Sequence, residues 1–131
     1  MSYEEAQLLQ KRAESFYRNA DHLLSIEDWD LAAFSLEQYC QLALKHKLLL
    51  RTGGFLRTHS IRELLAKIAE FDQSVNVLLT KETNLLYITK LEDAYIVSRY
   101  VPRSYTREEV VALRKFVGDV FKPIVDNIRV A

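Results

Sequence analysis

The sequence is poor in the two residue types that interrupt regular structure. Its 131 residues include only three glycines and two prolines, so few positions favour a tight turn. A fold of many short strands needs more such positions, and the scarcity therefore favours a few long helices. Internal repeats and strand-like alternation of apolar and polar residues are also missing. We expect an all-α fold, a four- to five-helix up-and-down bundle that forms one domain over residues 1–131.

Cysteine and long apolar runs are equally scarce. Cys40 is the single cysteine, which excludes an internal disulfide, and its place in an apolar helix predicts an inert buried thiol. No stretch approaches the roughly 20 consecutive apolar residues of a membrane span. The first residues are acidic and amphipathic, unlike a secretory signal. These features predict a cytoplasmic protein without a membrane segment.

The residues that carry metal or cofactor chemistry do not form a recognisable pattern. The three histidines and the cysteine lack the spacing of metal ligands, and no Lys-Ser/Thr pair follows Gly53-Gly54 as a phosphate-binding loop would require. We therefore expect no metal site, no cofactor and no catalytic residue of these classes.

One long helix, expected from Trp29 to about Leu50, organises the predicted bundle. Apolar residues cover most of its circumference, which requires neighbours on several sides. The remaining polar stripe includes Glu37, for which a solvated position is favoured over a buried one. His46 and Lys47 are expected on an exposed turn. Asp28 is the expected N-cap, and Gly53-Gly54 are expected to end the helix.

Four other helices are expected around the central one. The first extends from about Tyr3 to Leu24, and the third follows a capping box at Ser60 and Glu63. Asp72–Thr80 is a predicted connector before a helix over Lys81–Ser98. Pro102 sets the next loop, and a capping box at Thr106 and Glu109 opens the last helix, where Pro123 is expected to cause a kink or a frayed turn.

The charges are balanced in total but not along the chain. Residues 41–67 carry six basic residues and one acidic residue, and residues 99–131 carry seven basic and four acidic residues. If consecutive helices are antiparallel, the 51–62 and 99–107 loops lie at the same end of the bundle. That predicted basic end gathers Arg51, Arg57, His59, Arg62, Arg99, Arg103 and Arg107, with Tyr100 and Tyr105 between them.

The predicted basic end suits phosphate and base contacts. Arginine binds phosphate, aromatic side chains stack on bases, and two helix N-termini would offer N–H groups to an anion. The candidate nucleotide- or anion-binding residues are Arg99, Tyr100, Arg103, Arg57, His59 and Arg51. A purely structural interpretation stands beside this one, because cations at helix C-termini are favourable in themselves and the tyrosines could fasten the loop to the core.

An ordered set of short motifs resembles the HEPN family of small helical domains. It begins with Ala33, Ser35, Glu37, Gln38, Leu42, Leu44, Lys45, Leu48 and Leu49 on the central helix. It continues with Gly54, Thr58-His59-Ser60-Ile61, Leu64-Leu65, Tyr95, Arg99-Tyr100-Val-Pro and Tyr105-Thr106 with Glu108-Glu109. The resemblance covers nearly the whole chain. It implies a helical bundle that forms a homodimer, and it suggests a minimal nucleotidyltransferase as a partner in a toxin–antitoxin-like pair, with a nucleotide or RNA as ligand.

Family members that cleave RNA share an Arg-x4-6-His motif near the end of the fourth helix. Arg99 occupies about the right place, but no histidine follows it, since His59 is the last one in the chain. RNA cleavage needs a group that exchanges a proton near neutral pH. Tyr105 ordinarily titrates near 10 and cannot supply one. We therefore expect a non-catalytic protein. An endoribonuclease with an atypical site and a pure assembly module remain as alternatives.

Overall fold

The computed structural model describes residues 3–131, except for the side chains of Ser98 and Arg99. Its helices are α1 (Tyr3–Ser25), α2 (Trp29–Thr52), α3 (Ile61–Ala69), α4 (Val77–Thr80), α5 (Glu82–Tyr100), α6 (Arg107–Phe116) and α7 (Lys122–Asp126). A 3-10 turn over Gln73–Asn76 precedes α4, and a π-helical segment, Val117–Phe121, joins α6 to α7 without a break. The part of the chain described here contains no strand. The all-α prediction is confirmed.

The number of helices exceeds the predicted four or five by one. If α6, the π segment and α7 are counted as one continuous helix, the structure has six helices. The additional helix is α4, which forms within the predicted connector. Leu78 in α4 is fully buried, so this short turn serves mainly to place an apolar side chain in the core.

The α2 helix is central, as predicted. It contacts α1, α3, α5 and α6, and a row of its side chains four residues apart is almost fully buried: Ala32, Leu36, Cys40, Leu44 and Leu48. Residues at this spacing share one helix face. The apolar circumference read from the sequence is therefore covered by neighbouring helices.

The helix ends follow most of the predicted capping residues. Gly53 adopts φ +86° after α2 and donates its N–H to the Leu49 carbonyl, a conformation that favours glycine. Thr106 and Glu109 form a complete capping box, with bonds of 3.1 and 2.9 Å. Asp28 occupies the N-cap position of α2, but its side chain accepts no cap hydrogen bond.

Pro123 changes the form of the last helix instead of ending it. Proline has no N–H for the Asp119 carbonyl, and the preceding residues adopt π-helical geometry in which Lys122 donates its N–H to Val117. The helix then continues to Asp126. The expected fraying is not observed, and the local distortion is a widening over one turn.

The predicted antiparallel order fails at α3. Arg51, at the end of α2, lies over the ring of Phe71, which follows α3. Phe34, near the start of α2, packs on Tyr95, whose ring stacks on His59, just before α3. Helices α2 and α3 therefore run in the same direction. The loop between them can cover the length of α2, because extended chain spans about 3.4 Å per residue and a helix only about 1.5 Å.

Candidate functional site

The loop between α2 and α3 divides the predicted basic end. It returns along α2, with the Phe55 ring 5.6 Å from the Lys45 ammonium, and brings His59 to the end of the bundle where α5 stops and α6 starts. We call this the α5–α6 end. Arg51 stays at the opposite end, its guanidinium 5.1 Å from the Phe71 ring centroid. The prediction that placed Arg51 with the other candidates was wrong, because a long loop does not force neighbouring helices to be antiparallel.

A stack of aromatic rings marks the α5–α6 end. The His59 and Tyr95 rings are 4.2 Å apart and nearly parallel, at 24°, and the Tyr95 hydroxyl lies 3.2 Å from His59 Nε2. On its other side, Tyr95 packs against Phe34 of α2, with 6.4 Å between the ring centroids. His59 is exposed. The loop thus presents an imidazole to solvent on a supported aromatic base.

The remaining candidates at this end surround the loop at Pro102. Tyr100, in the last turn of α5, is 67% exposed. The Arg103 guanidinium lies 5.6 Å from the ring centroid of the buried Tyr105, which fits a cation–π contact. Arg57 is exposed in the loop before His59. Arg99 belongs to the last turn of α5, but its side chain is outside the described part of the structure.

Tyr105 fastens the loop to the core and is unsuited to acid–base chemistry. Its N–H donates to the Asp30 carboxylate at 2.7 Å, and its ring is 2% exposed. Burial raises the pKa of its hydroxyl to about 12. Tyr105 is therefore even further from neutral titration than a free tyrosine.

Acidic side chains of the protein already lie at the N-termini of α3 and α6. Glu92 of α5 accepts from the Ser60 hydroxyl at 2.7 Å and from Arg62 Nε at 2.6 Å, and its carboxylate also faces the Arg62 backbone N–H. At α6, Glu109 pairs with Lys90 at 2.6 Å. This pairing and the Thr106 N–H lower the pKa of Glu109 to about 2. At α3, Glu92 therefore occupies the place predicted for an external anion. At α6, Glu109 adds a negative charge to the first turn, and the expected anion at that terminus stays a prediction.

Glu37 was also predicted wrongly, since its carboxylate is buried rather than solvated. Its exposed fraction is 0%. Gln38 donates to one carboxylate oxygen at 2.8 Å, and Gln41 donates to the other. Burial outweighs these hydrogen bonds and raises the pKa of Glu37 to about 7. The sequence contained one indication of this burial, since Glu37 lies between Leu36 and Cys40 in the part of α2 that packs into the core.

The predictions for two other side chains of α2 had different outcomes. Cys40 is fully buried, and burial raises the pKa of its thiol well above the usual value, so the predicted inert thiol is confirmed. His46 is 8% exposed and does not lie on an exposed turn as expected. Burial lowers the pKa of its imidazole. His46 lies on a side of α2 that packs near α1, and sequence periodicity did not predict this packing.

No cluster of three or more histidine, cysteine, aspartate or glutamate side chains able to hold a metal occurs among the described residues. Within the same part of the chain, no helix is both long and apolar enough to cross a membrane. What distinguishes the α5–α6 end is a set of exposed aromatic and basic side chains around a proline loop. Side chains of these types can contact phosphate groups and stack on bases.

The model of the HEPN domain family matches residues 6–128 of the chain. The match covers nearly the whole molecule, and the protein belongs to the HEPN domain family. No curated protein and no solved structure matches the chain significantly.

Proposed function

We propose that this HEPN protein is a non-catalytic binding protein whose α5–α6 end holds a nucleotide or a short stretch of RNA. The observation that carries the proposal is Tyr100, a tyrosine 67% exposed in the last turn of α5. The proline loop that carries Arg103 follows it directly in sequence. An exposed aromatic ring is costly in water and provides a surface on which a base stacks. The neighbouring His59 ring offers a second stacking surface.

The charges at this end suit a phosphate backbone. Arg57 and Arg103 are exposed, and arginine forms two-pronged hydrogen bonds to phosphate. Because Glu92 and Glu109 already place carboxylates at the two helix N-termini, we assign the affinity for phosphate to the arginine side chains. Binding should therefore weaken steeply as salt rises.

The proposal is tested by fluorescence anisotropy with a labelled single-stranded RNA. Replacing Tyr100 by Ala should weaken binding about tenfold, since one stacked base contributes about 1–3 kcal/mol. Arg103→Ala should weaken binding and also reduce the salt dependence. Arg51→Ala is the matched control, because Arg51 is also an exposed arginine and lies at the opposite end of the bundle. Equal losses in Arg51→Ala and Arg103→Ala would refute the α5–α6 end as the binding surface.

The resemblance also supports a homodimer and a protein partner. We infer that the protein pairs with a minimal nucleotidyltransferase in a toxin–antitoxin-like arrangement, with the α5–α6 end as one contact. Co-expression with a nucleotidyltransferase from a neighbouring reading frame tests this inference. Co-purification that survives gel filtration and is lost in Arg103→Ala would support it, and independent elution of the two proteins would contradict it.

A second candidate function, metal-independent RNA cleavage, draws on the position of His59. The loop brings His59 onto Tyr95, which precedes Arg99 by about one helical turn along α5. A histidine and an arginine thus share one end of the bundle without sharing a sequence motif. Histidine is the usual proton-transfer group for attack by a 2′-hydroxyl.

Labelled RNA distinguishes cleavage from binding. If His59 acts as acid or base, the wild type should cut RNA in the presence of EDTA, and His59→Ala and Arg99→Ala should each reduce the rate at least a hundredfold. Full-length RNA after prolonged incubation with the wild type would remove this candidate and leave the binding proposal intact.

A further inference from the structure

A second recess lies between α1, α2 and α7, away from the α5–α6 end. It has a volume of about 300 Å³, at the lower limit for pockets that bind small molecules. Its lining comes from three separate stretches of sequence. The residues used below are Tyr17, Arg18, Tyr39, Ala43, His46 and Lys47.

The recess exists because alanines occupy positions where the facing helices meet. Ala13 of α1 and Ala43 of α2 both line it and are buried, and their short side chains leave space between the backbones. Tyr17 and Tyr39 form its aromatic wall, with ring centroids 4.9 Å apart and an angle of 61° between the planes. Tyr17 is half-buried and Tyr39 is 4% exposed, and the Tyr17 ring also lies 4.6 Å from the Arg114 guanidinium and 5.8 Å from the Lys122 ammonium. A flat ring in the recess would therefore meet mainly the open part of Tyr17.

Polar groups project into the recess without partners that would occupy them. Within the described residues, the His46 imidazole makes no hydrogen bond and Lys47 makes no ion pair, although both lie at the recess. No side-chain nitrogen or oxygen among the described residues is both buried and without a hydrogen-bond partner, so the His46 ring nitrogens reach the solvent that fills the recess. A ligand in the recess can therefore form a hydrogen bond with them.

The charges favour an anion over a cation. Lys122 is already paired with Asp126 at 2.7 Å. Arg18, Lys47 and Glu14 remain around the recess without an ion-pair partner among the described residues. Two cations against one acid leave a net positive rim, and the pairing of Asp126 removes most of its repulsion.

We propose that this recess binds a small planar aromatic anion, with the ring against Tyr17 and Tyr39, a hydrogen bond to His46, and the anionic group at Lys47 and Arg18. A nucleoside monophosphate and an aromatic carboxylate share this chemistry. The proposal is independent of RNA binding at the α5–α6 end, since the two surfaces share no residue named here.

Isothermal titration calorimetry with four probes tests the proposal. AMP and salicylate combine a flat ring with an anion, whereas adenosine lacks the anion and inorganic phosphate lacks the ring. At least one of AMP and salicylate should bind at least tenfold more tightly than both partial probes. Binding of neither AMP nor salicylate, or equal binding of a partial probe, would overturn the proposal.

Three variants locate the binding. Lys47→Ala should weaken it about tenfold, because a charge-assisted contact is lost. Ala43→Met should abolish it by filling the recess, and circular dichroism shows whether that variant still folds. Lys115→Ala removes an exposed lysine of α6 outside the recess and should have no effect. Arg103→Ala should also bind the probe normally; a loss there with no loss in Lys47→Ala would assign the ligand to the α5–α6 end instead.

Discussion

Glu37 shows how a single residue can oppose the stability of the bundle at neutral pH. Its carboxylate is 0% exposed, and its nearest partners are the neutral amides of Gln38 and Gln41. Neutral donors do not compensate fully for removing a charge from water. The folded protein therefore holds a proton on Glu37 at pH values where the unfolded chain has released it.

This difference in proton binding sets the direction of a pH dependence. The pKa of Glu37 is raised from 4.5 to about 7, so the neutral form contributes its full stability below pH 4.5. This contribution is lost as pH rises to about 7. Above pH 7 the free-energy cost of the buried, ionised Glu37 carboxylate stays constant. A shift of this size corresponds to about 3 kcal/mol.

Replacing Glu37 by Gln should remove this pH dependence. We expect Glu37→Gln to match the wild type in free energy of unfolding near pH 4.5 and to exceed it at pH 8 by up to about 3 kcal/mol. Urea denaturation from pH 4.5 to 8 measures the difference between the two proteins. Glu4→Gln, which changes an exposed acid of α1, should track the wild type throughout. A difference in free energy of unfolding between the variant and the wild type that is the same at all pH values would mean that Glu37 is ionised in the folded protein.

Residue-level predictions succeeded where one property decided the outcome. Cys40 was predicted to be buried because it lies in an apolar-rich helix, and it is. Glu37 and His46 were predicted to be exposed because they are polar, yet α2 is covered on nearly every side. Helical periodicity identifies a face, but it does not show how many other helices contact that face.

At the scale of single elements, Glu92 of α5 joins two helices that the sequence presents as separate. Its carboxylate takes hydrogen bonds from Ser60 and Arg62 at the start of α3. An acid at a helix N-terminus also interacts favourably with the helix dipole. Only the Ser60 and Glu63 part of this cap was visible in the sequence, since Glu92 lies thirty-two positions from Ser60.

Loss of the Glu92 carboxylate should destabilise the bundle. Glu92→Ala leaves the Ser60 hydroxyl and the Arg62 guanidinium without their shared acceptor, and we expect a decrease of about 1.5–3 kcal/mol in the free energy of unfolding. The control is Glu63→Ala, which removes an exposed acid from the first turn of α3 and should lower the free energy of unfolding by less than about 0.5 kcal/mol. Chemical denaturation measures both, and equal effects would contradict the role given to Glu92.

Gly118 in the π-helical segment makes room for an arginine that ties α6 to α1. Arg114 pairs with Asp21 at 2.6 Å and lies 4.6 Å from the Tyr17 ring centroid. A Cβ at Gly118 would overlap the Arg114 guanidinium and lie 3.1 Å from the Tyr17 hydroxyl. Glycine is otherwise unfavourable inside a helix by about 1 kcal/mol relative to alanine.

The effect of Gly118→Ala should therefore depend on Arg114. In the wild type we expect no stabilisation, because the helix preference of alanine is offset by displacement of Arg114 from Asp21. In an Arg114→Ala background the same change should stabilise the protein by up to about 1 kcal/mol. Thermal unfolding of the two single variants and the double variant measures this coupling. Equal effects of Gly118→Ala in both backgrounds would contradict it.

For the whole molecule, the sequence predicted the elements better than their arrangement. Periodicity and capping residues predicted the five main helices and most of their limits. The predicted direction of α3 was wrong, because nothing in residues 53–60 indicates whether the loop turns sharply at the end of α2 or runs back along that helix. His59 reached the α5–α6 end by a different path from the one expected, and Arg51 did not reach it.

The expected homodimer also needs a surface that the sequence did not identify. Tyr17, Tyr87 and Tyr95 are half-buried and pack on Tyr39, Phe116 and Phe34, respectively. Exposed apolar side chains occur on several helices. On α5 they are Leu86, which is 64% exposed, Ile96 at 53% and Tyr100 at 67%, and Val111 of α6 is 45% exposed. Leu86 also borders a recess of about 320 Å³ between α5 and α6.

If two copies associate through this face, an acidic residue on it should separate them. Leu86→Asp places a charge where an apolar contact is expected, so it should convert the dimer to a monomer, as measured by light scattering after gel filtration at micromolar concentration. Leu31→Asp is the matched control, because Leu31 is 47% exposed but lies on α2, and its dimer should persist. A wild type that is monomeric at these concentrations, or a Leu86→Asp variant that still dimerises, would exclude α5 as the interface.

Because α5 also carries Tyr100, a dimer on this face would bring two α5–α6 ends into one assembly. RNA binding to the Leu86→Asp monomer should then lose the gain in affinity that two linked sites provide.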